Sequence, residues 1–142
     1  MQAAKLRILF VEDHEDTREL IALIFQQATY EVVTATTVSR ALTLARAERF
    51  NLFILDSRLP DGSGFDLCRE IRRMDRATPI LFYSALAFEK DKDEALRAGA
   101  QKYLVKPVDI SVLQSAVAEL VEVSRKTPVR RRMNARDTQA AA

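Results

Sequence analysis

The sequence has little of what holds small folds together through covalent or metal bonds. Of its 142 residues only Cys68 is a cysteine, so no internal disulfide can form. A helical reading of FDLCREIRRM makes that thiol a small buried apolar group. The one histidine, His14, has no second His and no Cys available to it for an N/S donor set, which leaves it a loop or helix-cap residue. No apolar run approaches the ~20 residues of a membrane span. The opening MQAAKLRILFVED turns acidic too soon for a secretory signal, so a cytoplasmic location is expected. No internal repeat is present.

The length suits one domain, large enough to bury roughly two thirds of the surface its unfolded chain exposes. The net charge of +2 is unevenly placed. Residues 125–142 carry six basic side chains against Asp137 alone, which leaves residues 1–124 acidic. RKTPVRRRMNARDTQAAA lacks the apolar periodicity to fold by itself and reads as a solvated, disordered basic tail. The boundary is therefore expected at 124/125. The tail is too short and too polar for a helix-turn-helix, so no DNA-binding domain is expected within the chain.

Across residues 5–124, β-rich runs alternate with segments of helical period. LRILFV, EVVTA, NLFIL, PILFYS and KYLV read as strands. Several are almost wholly apolar, as strands are when helices cover both faces of a parallel sheet. Five helices lie between and after them. Leu20, Ile21, Ile24 and Phe25 are expected to form the apolar stripe of the first, and Leu113, Val117, Leu120 and Val121 that of the last. Gly99 stands where the fourth should close. Five β/α units imply an α/β doubly wound sheet, whose strands end along one edge.

That edge gathers unusual chemistry. Glu12 and Asp13 follow strand one, Asp56 strand three, Ser84 ends strand four, and Lys106 follows strand five. Carboxylates a few Å apart repel by roughly 4 kcal/mol per pair at 4 Å and an effective dielectric near 20. Protons or a divalent cation must compensate, and an oxygen-only donor set suits Mg²⁺. Lys106 and the Ser84 hydroxyl supply a positive charge and a donor for phosphoryl oxygens. The set suits a carboxylate that accepts a phosphoryl group.

VEDHEDTREL, FILDSRLPDGSG, FYSA, EALRAGAQKYLVKP and the closing amphipathic helix stand in the order and spacing that resemble the receiver domain of two-component response regulators, chemotaxis-protein-like. The resemblance implies a flavodoxin-like, five-stranded parallel sheet of order 2-1-3-4-5 with five helices. It implies that Asp56 is phosphorylated by a histidine kinase or phosphotransfer protein. Asp13, Asp56 and the backbone carbonyl of Arg58 would bind Mg²⁺, with Glu12 acting through water. Ser84 and Lys106 would contact the phosphoryl oxygens, and Tyr103 would be the switch aromatic coupled to Ser84. Glu12 stands where aspartate is commoner in the family.

The expectation is a receiver for phosphorelay signal transduction, residues 1–124, that switches a protein-interaction face on helix 4, strand 5 and helix 5 for a downstream target or a homodimer. Such a protein catalyses its own phosphorylation and dephosphorylation and is not a turnover enzyme. The alternative is a constitutive, receiver-like interaction module that does not cycle. A metal-dependent phosphatase of similar architecture is disfavoured, because Arg58 stands where a second acid would be needed.

Overall fold

The structure, a computed structural model, describes residues 5–126. The expected basic tail lies outside the described residues from position 127 onward, and the last helix runs two residues past the expected boundary. In chain order the elements are β1 (Arg7–Val11), α1 (Glu15–Gln27), β2 (Glu31–Ala35), α2 (Val38–Ala47), β3 (Leu52–Leu55), α3 (Gly64–Met74), β4 (Ile80–Ser84), α4 (Glu89–Ala98), β5 (Lys102–Val105) and α5 (Ile110–Lys126). A short antiparallel ribbon, Arg58–Leu59 with Gly62–Ser63, lies between β3 and α3. The five main strands are all parallel and stand in the order 2-1-3-4-5. This is the doubly wound, flavodoxin-like sheet.

Alternation along each strand divides the core between the two sheet faces. Leu9, Val11, Phe53, Leu55, Ile80 and Phe82 pack beneath α2, α3 and α4. Ile8, Phe10, Leu52, Ile54, Leu81 and Tyr83 pack beneath α1 and α5. The stripe of α5 is as expected, with Leu113, Val117, Leu120 and Val121 all buried. Cys68 is buried too. In α1 the expectation is corrected. Ile21, Ala22 and Phe25 face the sheet, whereas Leu20 is 56% exposed. Each helical residue turns ~100° from the last, so the face centred on Ile21 and Phe25 carries Leu20 out to solvent.

Local chemistry sets the helix ends. His14 caps α1, its Nδ1 accepting from the Thr17 amide at 3.3 Å. Thr37 caps α2 by accepting from Arg40 N–H, and Ser63 Oγ caps α3 by accepting from Phe65 N–H at 2.9 Å. Each satisfies an amide that the first helical turn leaves without a partner. Gly99 ends α4 at φ 117°, a left-handed conformation that favours glycine.

Arg72 ties α3 to the amino ends of β4 and β5. Its guanidinium donates to the carbonyls of Gly99, Asp75 and Thr78 and to Gln101 Oε1. Gln101 Oε1 in turn accepts from Ile80 N–H at 2.7 Å. Loss of one charged group would strand several partly buried acceptors. Arg72→Ala is expected to cost about 3 kcal/mol, read as a lowered midpoint in urea unfolding followed by circular dichroism.

Candidate functional site

The carboxyl ends of β1, β3, β4 and β5 meet at one rim, where open α/β sheets bind ligands. The rim opens into a cavity of about 710 Å³ lined by Glu12, Asp13, His14, Glu15, Asp16, Thr17, Asp56 and Lys106. Carboxylate oxygens of Glu12, Asp13 and Asp56 lie within 4.8 Å of one another. The sheet register produces this: Val11 is paired with Leu55, so the residues that follow both strands emerge together.

Lys106 answers the acids. Its Nζ lies 2.6 Å from Glu12 Oε1 and 3.2 Å from Asp56 Oδ2. Glu12 is only 1% exposed, and burial raises its pKa against the opposing pull of the Lys106 hydrogen bond. For Lys106, burial acts to lower the pKa, but the bonds and charges of Glu12 and Asp56 outweigh it and the net shift is upward. The lysine is thus firmly protonated. Three carboxylates against one ammonium leave two negative charges unbalanced, and a hard, oxygen-only cluster of that charge fits a divalent cation.

Of the residues singled out from sequence, Glu12, Asp13, Asp56 and Lys106 share the cavity. Asp13 is exposed and Asp56 half-buried, with its Oδ1 accepting from Ser57 N–H at 2.7 Å. Arg58 follows on the ribbon, with its side chain exposed. Ser84 ends β4 fully buried, and its hydroxyl accepts from Leu86 N–H at 3.1 Å. Tyr103 lies half-buried beneath the β4–α4 loop, its hydroxyl donating to the Leu86 carbonyl at 2.7 Å. Its ring stacks on Phe82 at 5.7 Å between centroids, and Phe82 stacks on Phe65 at 5.3 Å.

Three further residues shape the rim, and sequence reasoning did not assign them. A Cβ on Gly64 would stand 1.8 Å from the Asp56 carbonyl oxygen, and Gly64 N–H donates to Ser57 O at 2.8 Å. Only glycine lets the start of α3 approach the Asp56 backbone so closely. The Asp61 carboxylate accepts from the Val38 and Ser39 amides at 2.7 and 3.0 Å, which fastens the ribbon loop to the amino end of α2. These bonds hold Asp61 below its ordinary carboxylate range. Ser57, buried beside Asp56, has its hydroxyl 3.3 Å from that of Tyr103. The second Gly in DGSG and the hydroxyl in LDS were the available signals.

A parallel sheet of this order, with acids after β1 and β3 and a lysine after β5, defines a receiver. A family model described as the response regulator receiver domain matches residues 8–118, and the chain belongs to that family. It is 36% identical over 115 residues to the response regulator protein PilR of Pseudomonas aeruginosa, covering 81% of this chain and 26% of that protein. It is 38% identical over 108 residues to the KDP operon transcriptional regulatory protein KdpE of Escherichia coli, covering 76% of this chain and 48% of that one. The chain therefore spans about half or less of the length of these curated relatives. Among solved structures, a CheY-like response regulator receiver domain protein from Methanospirillum hungatei superposes with a TM-score of 0.80 at 27% identity, covering 87% of this chain and 99% of its own. No helix among the described residues is long and apolar enough to cross a membrane.

Gly64→Ala must push apart α3 and the Asp56 peptide, and a cost of about 1–3 kcal/mol is expected in urea unfolding. Glu12 supplies a pH signature. Its folded pKa is raised, so its contribution favours the folded state below the ordinary glutamate range and is lost as pH rises through the folded value. In metal-free buffer, Glu12→Gln is expected to gain stability relative to the parent as pH climbs from 4 to 7, measured as the difference between urea midpoints.

Proposed function

We propose that the chain is a phosphoacceptor receiver of a two-component phosphorelay, in which Asp56 takes a phosphoryl group from a histidine kinase or histidine phosphotransfer protein. The observation that carries this reading is the clustering of Glu12, Asp13 and Asp56 within 4.8 Å, with Lys106 Nζ 3.2 Å from the Asp56 carboxylate. In the transfer, an Asp56 oxygen forms a bond to phosphorus as the bond from phosphorus to the donor imidazole nitrogen breaks, and the imidazole leaves. Hydrolysis reverses the charge state: water attacks phosphorus, the acyl phosphate P–O bond breaks, and carboxylate and inorganic phosphate result. The chain thus catalyses its own phosphorylation and dephosphorylation and turns over no external substrate.

Asp13, Asp56 and the carbonyl of Arg58 would hold Mg²⁺, with Glu12 acting through water. The ion supplies charge neutralisation for the incoming phosphoryl oxygens. Lys106 offers a permanent cation beside Asp56 and can exchange its carboxylate partner for a phosphoryl oxygen, a charge-assisted bond of about 1.5–3 kcal/mol. The Ser84 hydroxyl, which accepts only through its lone pair at Leu86 N–H, keeps its proton to donate. Tyr103 then registers the movement of the loop that Ser84 begins.

The face formed by α4, β5 and α5 would meet a downstream target or a second copy. Phe88, at the start of α4, is 70% exposed, and an apolar ring so placed beside the responsive loop supports that assignment. The domain boundary falls near residue 124, and the reading places the protein in the cytoplasm with its phosphodonor.

Acetyl phosphate with Mg²⁺ is expected to add one acid-stable, base-labile phosphoryl group, seen by intact mass spectrometry. Asp56→Asn and chelation of the metal should each abolish it. Full labelling of the Asp56→Asn protein would overturn the assignment, and no labelling of the parent would favour the constitutive module.

A further inference from the structure

Ser57 stands between the proposed phosphoacceptor and the aromatic of the switch, and no part of the reading above uses its side chain. The residue is 1% exposed. Its amide donates to Asp56 Oδ1 at 2.7 Å and its carbonyl accepts from Gly64 N–H at 2.8 Å, so its backbone is held at both ends. Its Cα–Cβ bond is thereby held in place, and the hydroxyl position is set by rotation about that bond alone. The partner of that hydroxyl among the described residues is Tyr103 Oη at 3.3 Å.

Proton counting gives the contact a direction. A phenol has one proton to donate, and the 2.7 Å contact to the Leu86 carbonyl takes it, since a carbonyl can only accept. Ser57 Oγ–H is therefore the donor to Tyr103 Oη. A chain of hydrogen bonds runs from Ser57 to Tyr103 to the Leu86 carbonyl, and the Leu86 amide returns to Ser84 Oγ at 3.1 Å. The two ends of this chain are the residue after Asp56 and the last residue of β4. Ser57 follows β3 and Ser84 closes β4, two strands that flank the site, and 46 residues separate Ser57 from Tyr103 in sequence.

We propose that Ser57 is a positioning residue that holds the Tyr103 ring beneath the β4–α4 loop in the unmodified protein. The proposal deepens the receiver reading by naming what sets the resting balance of its switch. A buried hydroxyl stripped of its partner is unfavourable, so the outward turn of Tyr103 is disfavoured by Ser57 as well as by the loss of the Leu86 bond. Serine at this position thus biases the resting position of the Tyr103 ring, and with it the loop that carries Leu86.

The test uses the full chain, unphosphorylated and without Mg²⁺, carrying tyrosine labelled with ¹³C in the ring. The three tyrosines, Tyr30, Tyr83 and Tyr103, give three sets of ring signals, and Tyr103→Phe identifies one of them by its loss. In Ser57→Ala the Tyr103 signal is expected to move or broaden toward a more solvent-averaged position, the inward population falling about fivefold relative to the outward one. Ser57→Cys, close in size with a weaker donor, should shift the signal in the same direction by less. Unmoved Tyr30 and Tyr83 signals report an intact core in each variant. A Tyr103 signal identical in the parent, Ser57→Ala and Ser57→Cys would overturn the proposal. Because no phosphodonor is present, that result is separate from the labelling experiment, which fails or succeeds on Asp56 alone.

Discussion

The rim of this sheet is assembled around a charge problem, and Lys106 is the physical answer to it. Three acids are brought together by strands that have no choice in the matter, since the register of β1 and β3 is fixed by apolar residues buried on both faces. Sliding either strand by one residue to separate the acids would exchange its residues between two separately packed cores. The repulsion is therefore built into the hydrophobic core. An ammonium within 2.6 Å of the buried glutamate and 3.2 Å of the aspartate relieves part of it and leaves a deficit of positive charge that a cation or a redistribution of protons must meet. The cluster that results could hold a metal ion.

Rigidity is concentrated below and beside the rim. Arg72 fixes the amino ends of β4 and β5 through several carbonyls, and Gly64 brings α3 against the Asp56 backbone with no side chain between them. The β4–α4 loop is held at Leu86, by the Ser84 and Tyr103 hydroxyls on its N–H and carbonyl and by its side chain packed on the core. Single hydrogen bonds contribute about 0.5–1.5 kcal/mol net.

Much of this was legible in the sequence, for identifiable reasons. The strands are short apolar runs, the fourth helix ends at a glycine, and the acids and lysine that share the cavity fall where those runs stop, so one-dimensional pattern carried the architecture and four members of the candidate site. The errors and omissions have a common origin. Leu20 belongs to an apolar sequence, LIALIF, broad enough to fit more than one helical face, and only the packing direction of Ile21 and Phe25 leaves Leu20 and Leu23 both outside. Ser57, Asp61 and Gly64 act on partners fixed by tertiary approach: a tyrosine 46 residues away, a helix start 23 residues away, and the backbone of the strand end. The glycine of DGSG and the hydroxyl of LDS are local traces of two of them, and neither identifies its partner.

The stack formed by Phe65, Phe82 and Tyr103 gives the aromatic a second kind of hold. Phe82 is completely buried, with one ring on each side of it, and the Phe82–Tyr103 planes are within 9° of parallel. Removing the outermost ring would uncover one side of the central one and leave a slot of the ring's own thickness opening toward the loop. At roughly 25 cal/mol per Å² of apolar surface exposed, that opening opposes departure regardless of which hydrogen bonds the phenol makes. The loop above Tyr103 therefore acts as the cover of a pocket that is stable when filled, and any partner that reads the loop also reads, at one remove, whether that pocket is full.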